Sequence, residues 1–471
     1  MPSPGSAQTA ALAAADGVPV PRRYWSIAAI ILAILMTVLD STIVNVALPS
    51  MARDFHTSDA ASIWVINSYQ VAILIGLLPL ASLGEIVGYR RVSQGGLAIF
   101  TLASLGCALA PTLATLSIAR VVQGLGAAGI MSVNSALVRF TYPHRLLGRA
   151  IGINAFAVAV GGAAGPTLAS AILAIAHWRW LFAINVPLGT LTFFVALYAL
   201  PQTERSPRPF NYVGALLQAG TFAALIGGLQ SLAHDSVTAL SLLEIGAGCA
   251  LGAILVRHEI ARPAPLIPFD LLRIRLFSLS VATSVCSFMA ATAGLVALPF
   301  EIQRVGHTAA ATGLLMTPWP VGVAIAAPLA GRLADRYPAG ILGSIGLIIL
   351  AGGLVLLLFL PPQGTAADLI WRMMLCGLGF GFFQAPNNRT LIASAPRART
   401  GAAGGMLASA RLCGQTLGAA GVAIVFRTYP GRGSNLALAV AAGIALAGAL
   451  VSVSRLAGNP GGPLPKESVR A

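Results

Sequence analysis

The sequence predicts an all-α integral membrane protein of fourteen transmembrane helices, and three observations carry that prediction. First, only 9% of the 471 residues are charged while 57% are hydrophobic. A soluble domain keeps roughly 25% charged residues to hold its surface in water, so most of this surface faces something else. Second, the apolar residues fall into runs of about 20, the length a helix needs to cross a bilayer at 1.5 Å per residue. Third, the basic residues gather in the short gaps between those runs.

The runs lie at 25–48, 61–83, 92–110, 113–136, 148–174, 180–200, 212–231, 238–256, 278–300, 312–331, 340–360, 368–388, 401–425 and 434–454. Helices are the expected form, because in lipid each backbone polar group must find its partner within its own segment. The segment Met1–Pro21 is rich in Ala, Pro and Ser and lacks a basic start before an apolar core. It reads as a disordered lead-in rather than a secretory signal.

A net charge of +15 would point to nucleic acid in a soluble protein. Here the distribution explains it differently. Arg53, Arg179, Arg304, Arg372, Arg427 and Arg432 fall on one side of the membrane, Arg120 and Arg411 within helices, and the rest of the 29 basic residues on the side shared by both termini. Cytoplasmic loops hold the excess of Arg and Lys, so both termini are expected in the cytoplasm and nucleic acid is not an expected partner.

Enzymatic chemistry finds no footing. The gaps between spans are too short for a soluble catalytic domain. The six His show no metal-like spacing, and neither a nucleophile elbow nor a phosphate loop before a strand occurs. The five cysteines sit apart inside apolar stretches, as buried thiols would. No cofactor or metal is expected, and an ATP motor is missing.

The chain also repeats itself. A displacement of 253 positions lays 124–166 on 377–419 without a gap. Gly124, Gly126, Asn134, Pro143, Gly148, Gly161 and Gly165 then meet Gly377, Gly379, Asn387, Pro396, Gly401, Gly414 and Gly418. Small residues recur wherever membrane helices pack closely, but the spacing is kept through the loop holding Pro143 and Pro396. The displacement is eight helices, an even number, so the copies run in the same direction. That is the parallel-repeat plan of transporters: six helices, two inserted, six more. The expected divisions are a cytoplasmic lead-in at 1–24, a six-helix bundle at 25–200, the inserted pair with a linker at 201–277, a second bundle at 278–455 and a cytoplasmic tail at 456–471.

Few charges lie inside spans, where each costs about 2.5 kcal/mol or more at mid-helix. Asp40 follows eleven residues free of charge and lies about 8 residues, roughly 12 Å, from the outer end of the first helix. Arg120 enters the fourth helix from the same side to a depth of about 10 Å. Opposite charges at equal depth call for a pair or a watered cavity. The pair could be a proton carrier with a partner biasing its charge, or a static bond between helices. Glu244 and Glu301 sit near the ends of their spans, where solvation suffices. Arg411 falls opposite Val158 in the repeat; it could meet an anionic substrate group, balance an acid, or simply pack with its head at the interface.

Several segments, taken in order, resemble the major facilitator superfamily, and specifically its fourteen-helix drug:proton antiporters, the multidrug and quaternary-ammonium exporters. Leu39-Asp40-Ser41-Thr42-Ile43-Val44-Asn45-Val46-Ala47-Leu48-Pro49 resembles that family's helix-one signature. Arg120-Val121-Val122-Gln123-Gly124-Leu125-Gly126 resembles its helix-four motif, and Gly161 through Pro166 its antiporter motif, with Ala169 and Ser170 in place of closing glycines. The loop motif after helix two departs from the pattern, with Glu85 for Asp and Ile86 for Arg ahead of Arg90 and Arg91. Its counterpart Gly331-Arg332-Leu333-Ala334-Asp335-Arg336 is nearer to the pattern, and Trp178 through Gly189 and Ala385-Pro386-Asn387-Asn388 also resemble family segments.

The resemblance implies two six-helix bundles that rock around a central cavity in a bacterial inner membrane. It implies exchange of external protons for an internal amphiphilic or lipophilic compound, with the proton gradient as the energy source. Asp40 would carry the proton, with Arg120 as its partner. Gly161, Gly165 and Pro166 would bend helix five in favour of export, and Glu85, Arg90, Arg91, Asp335 and Arg336 would latch the cytoplasmic side. Trp64, Tyr69, Asn134, Asn387 and Arg411 are candidates for the substrate cavity, with packed or lipid-facing positions open for the two aromatics. Partners are then the lipid bilayer, a small-molecule substrate and protons, and a periplasmic adaptor is compatible with such an exporter. Two other readings stand beside this one: export of a single endogenous metabolite or siderophore, and a membrane sensor or scaffold that transports nothing.

Overall fold

The structure is a computed structural model that describes residues 17–143, 146–203, 205–206, 209–234, 239–260, 262, 267–359, 365–396 and 399–456. Among these residues there are no strands, and fourteen helices are long and apolar enough to cross a membrane. They are α1 (Arg22–Asp54), α2 (Asp59–Val87), α3 (Tyr89–Leu109), α4 (Leu113–Thr141), α5 (Phe156–Ile175), α6 (Trp180–Ala199), α7 (Tyr212–Leu229) and α8 (Ala239–Ile260). After the inserted pair come α9 (Arg275–Arg304), α10 (Ala309–Leu333), α11 (Ala339–Leu358), α12 (Ala366–Ala393), α13 (Ala402–Thr428) and α14 (Gly433–Val453). Each expected span falls on one of them. Several helices run past the apolar run at one or both ends, since hydropathy marks the hydrocarbon layer and not the turns that continue through the headgroups. Leu102, Leu109, Ile118, Ile175 and Leu450 are each at least 65% exposed, a placement that lipid accommodates and water does not.

The chain divides into two compact units. The first comprises Met1–Leu266, Pro299–Thr317 and Phe426–Thr428, and the second Ile267–Leu298, Pro318–Val425 and Tyr429–Ala471. The inserted helices α7 and α8 therefore group with the first unit, where the Gln218 side-chain amide donates to the Leu74 carbonyl at 3.2 Å. Of the expected disordered lead-in at 1–24, residues 1–16 lie outside the described residues. From Gly17 onward the chain is anchored: the Val18 N–H donates to the Thr141 carbonyl at 3.0 Å, and the Arg22 guanidinium to the Ala199 and Leu200 carbonyls at 3.1 and 3.2 Å. The tail beyond Leu456 lies outside the described residues.

The repeat has a packing cause. In the first unit a Cβ on Gly124 would sit 2.5 Å from the Tyr69 carbonyl oxygen of α2, and one on Gly126 would sit 2.5 Å from the Phe100 nitrogen of α3. In the second unit Gly377 and Gly379 press in the same way on Trp319 of α10 and on Leu350 of α11. Matched glycines thus let matched helices touch backbone to backbone. Lipid adds no hydrophobic drive between helices, so such close contact supplies much of the association. Gly126→Val should force α3 from α4 and destabilise the fold by about 1–3 kcal/mol or more. Thermal unfolding of the purified variant in detergent measures this; an unchanged midpoint would show the contact to be dispensable.

Prolines break two spans. Pro187 has no N–H to offer the Ala183 carbonyl, and α6 is interrupted after Ala183, resuming at Asn185. Pro320 stands in the same relation to Met316, where α10 is interrupted before Pro318. The first of these breaks positions a functional side chain.

Candidate functional site

Asp40 and Arg120 meet inside the first unit. Asp40 is 2% exposed and Arg120 1%. Arg120 Nη1 donates to Asp40 Oδ2 in a short ion pair. Asp40 Oδ1 accepts two further bonds at 2.9 Å, from Gln123 Nε2 on α4 and from Asn185 Nδ2 at the resumption of α6. Both carboxylate oxygens are therefore occupied, the condition under which a buried charge is tolerable.

The guanidinium is held from its other sides as well. Its Nε donates to the Val65 carbonyl of α2 at 2.9 Å, and Nη1 reaches Gln123 Oε1 at 2.7 Å. The Tyr69 ring lies under it, with Cζ 3.9 Å from the ring centroid, and the Phe182 ring lies 5.5 Å away. Aromatic faces stabilise a desolvated cation by up to about 2 kcal/mol. Gln123 in turn donates to Ser104 Oγ at 2.8 Å and accepts from Cys107 Sγ at 3.5 Å, both on α3. The Tyr69 hydroxyl donates to the Thr37 carbonyl of α1 at 3.1 Å. Three helices, α1, α4 and α6, thus meet at the carboxylate, while α2 holds its partner Arg120 and α3 holds Gln123.

Chemically, this arrangement is a buried acid bonded directly to α4 and α6 and, through Arg120 and Gln123, linked to α2 and α3. A proton on Oδ2 removes the countercharge of Arg120 and turns that oxygen from acceptor to donor, while Oδ1 still accepts from Gln123 and Asn185. Arg120 then keeps Val65, Gln123 and Tyr69 and nothing anionic. Of the donors to Asp40, Asn185 can be tested without touching the ion pair. Asn185→Ala should cost about 1–2 kcal/mol in stability and weaken the grip on Oδ1, since Gln123 remains as its only amide donor. Thermal unfolding of that variant checks it, and a cost below experimental error would count against the bond.

The other candidates are spread through the molecule. Tyr69 is fully buried beneath Arg120. Trp64 is half-buried five residues earlier on α2. Asn134 donates to Asn154 Oδ1 at 3.0 Å, joining α4 to the helix Leu147–Ile175 that contains α5. Asn387 is fully buried and donates to Ser284 Oγ of α9 at 2.7 Å. Gly161 packs on Leu35 of α1, and Gly165 presses on Thr42. The Pro166 carbonyl faces Gly313 of α10 within the first unit.

At the helix ends, Arg90 donates to the Leu197 carbonyl, and Arg90 and Arg91 line a cleft with Gln94, Gln202, Thr203 and Arg205. The Glu85 carbonyl accepts from the Ser206 N–H at 2.7 Å. In the second unit Asp335 pairs with Arg389, and the Arg336 N–H caps the Leu333 carbonyl at 2.9 Å. Glu244 accepts from Ser231 Oγ at 2.7 Å, and Glu301 pairs with Arg304 at 2.6 Å. Among the described residues no cluster of His, Cys, Asp or Glu could hold a metal ion.

Sequence reasoning missed Gln123 and Asn185 as partners of Asp40. Gln123 carried a usable signal, standing one turn from Arg120 on the same face of α4. Asn185 carried a weaker one, a polar residue two positions ahead of a mid-span proline.

The family model of the Major Facilitator Superfamily matches residues 30–419. The chain is 49% identical over 445 residues to an uncharacterized transporter, YebQ, of Escherichia coli, covering 94% of this chain and 97% of that one. It is 33% identical to the multidrug resistance protein Stp of Mycobacterium tuberculosis, covering 82% of this chain and 73% of that one. Among solved structures, a POT family transporter in complex with a thioalcohol-conjugated peptide aligns with a TM-score of 0.71 at 13% identity, covering 92% of this chain and 96% of that one. At that identity the likeness concerns the fold alone.

Proposed function

Because the chain belongs to the Major Facilitator Superfamily, a family of membrane transporters, we propose that it is a proton-coupled exporter of amphiphilic or lipophilic compounds. The observation that carries this reading is the buried pair of Asp40 and Arg120. A static bond between helices needs only one ion pair, whereas this carboxylate is a shared node of α1, α4 and α6. Protonation there alters the bonding of several helices at once, which is what a carrier requires to link proton binding to a change of access. The resemblance to a protein named for multidrug resistance supports export of varied compounds.

The distribution of arginines supports a bacterial inner membrane with both termini in the cytoplasm. Glu85, Arg90, Arg91, Asp335 and Arg336 then lie on the cytoplasmic side, where they act as its latch. Gly161 and Gly165 shape the α5 surface that meets α1, and Pro166 lies against Gly313 of α10. The proton gradient is the energy source, and no cofactor takes part.

Everted membrane vesicles holding the protein test the reading. With a preset inside-acid gradient, an amphiphilic dye such as ethidium, or another member of a chemically diverse panel, is expected to release protons as it is taken up. Uptake that persists after the gradient is collapsed with an ionophore, with no proton release for any compound, would overturn proton coupling.

A further inference from the structure

Arg411 is the charge that the proton-coupling site does not use. It lies on α13 9 residues past Ala402 and 17 short of Thr428, about 13 Å and 25 Å from the two ends at the rise of a helix. That depth prevents its head from reaching water by extending toward either end. A cation placed there needs a counterion, and its own unit has none to offer. The described acids of the second unit are Asp270, Asp335 and Asp368, and each is engaged elsewhere: with Arg399 at 2.8 Å, with Arg389, and with Arg372 at 3.3 Å. Among the described residues Arg411 forms neither a hydrogen bond nor an ion pair.

Its surroundings are aromatic. The guanidinium carbon lies 5.6 Å from the Phe288 ring centroid, and Phe288 meets Phe380 edge-on at 5.1 Å. Those rings come from α9 and α12, while Gly414 and Gly418 bring α13 against α9. Gln415, four residues on and on the same face, is also half-buried and makes no side-chain hydrogen bond among the described residues. Between Ala402 and Arg427 no described side chain of α13 is fully exposed, so this face is not a lipid-facing one. A half-buried guanidinium and a half-buried free amide, set beside two buried aromatic rings, leave an unmet demand for an anion next to an apolar wall.

We propose that Arg411, with Gln415 and the rings of Phe288 and Phe380, recognises the anionic group of a lipophilic aromatic substrate, a carboxylate or a sulfonate. The inference rests on the export reading and names a substrate class within it. The physical gain lies in charge balance: the substrate supplies the counterion that the described acids of the second unit do not, so loading and neutralisation occur together. Exchange of one proton for one such anion moves two positive charges inward per cycle. Exchange for a monovalent cation moves none, so the membrane potential distinguishes the two.

Proteoliposomes of the full chain supply the test, with two permanently charged probes of like shape, 2-naphthalenesulfonate and (2-naphthyl)trimethylammonium. Wild type is expected to release protons on addition of the sulfonate, faster when a potential is imposed in the favourable direction. Arg411→Gln should raise the half-saturating sulfonate concentration by about ten-fold or more, the worth of a charge-assisted hydrogen bond, and Arg411→Lys should recover part of it. Asp40→Asn should abolish proton release while sulfonate still exchanges across the membrane. Binding of the sulfonate lost in Arg411→Gln and kept in Asp40→Asn upholds the anion site even where proton coupling fails. Sulfonate binding that is absent in wild type, or equal in wild type and Arg411→Gln, overturns the anion site and leaves the coupling reading to its own test.

Discussion

Asp40→Asn is expected to reduce substrate-triggered proton release in everted vesicles to the level of empty vesicles while the protein still folds. The substitution preserves shape and keeps an oxygen to accept from Gln123 and Asn185. It removes the one group at the centre of this network that can take up and give back a proton. Arg120 loses its counterion but retains the Val65 carbonyl, the Gln123 oxygen and the Tyr69 ring. Removing one member of a buried pair costs about 3–5 kcal/mol, and the retained contacts put this variant at the lower end. Exchange of labelled compound down its own gradient should persist, since it requires no proton. Vesicles of this variant that discharge the gradient like wild type would remove the proposed coupling.

Arg120→Gln is expected to be more damaging to the fold. It leaves the Asp40 carboxylate buried with two amide donors and no positive charge, and it also leaves the Val65 carbonyl and the Tyr69 face without their partner. The cost should lie near the upper end of about 3–5 kcal/mol, which shows as a large loss of folded protein on extraction. Arg120→Lys should not rescue it. A compact ammonium cannot reach Asp40, Gln123 and the Val65 carbonyl together, as the forked guanidinium does. The double variant Asp40→Asn, Arg120→Gln should regain stability relative to Arg120→Gln, because no unpaired charge remains, yet stay uncoupled. Thermal unfolding of the four proteins closes the cycle. Additive losses would show that the two residues are not one energetic unit.

The fold was legible because each rule that governs it is local. Fourteen apolar runs, scarce charge and arginines in the gaps answer to the bilayer alone, and each run became one candidate span. The repeat was legible for a related reason. Gly124 and Gly377 cannot carry a side chain where two backbones touch, so the same residue recurs at the same place in each unit. The bounds were less legible, because turns such as Arg22–Tyr24 and Met51–Asp54 continue α1 through residues that hydropathy alone excludes.

Asp40 and Arg120 could be singled out from sequence by the cost of charge at their depth, since that argument needs only position along a helix. What the sequence by itself determined is therefore the membrane, the helices, their repeat and the identity of the isolated charges. Only the tertiary structure decided who meets whom: that Gln123 and Asn185 complete the carboxylate, that Tyr69 lies beneath the guanidinium, and that Arg411 has the Phe288 ring but, among the described residues, no acid paired with it. The physical reason is range. Burial cost and helix period act along the chain, whereas a hydrogen bond between residues 145 positions apart exists only once helices have packed and fixed its angle and length.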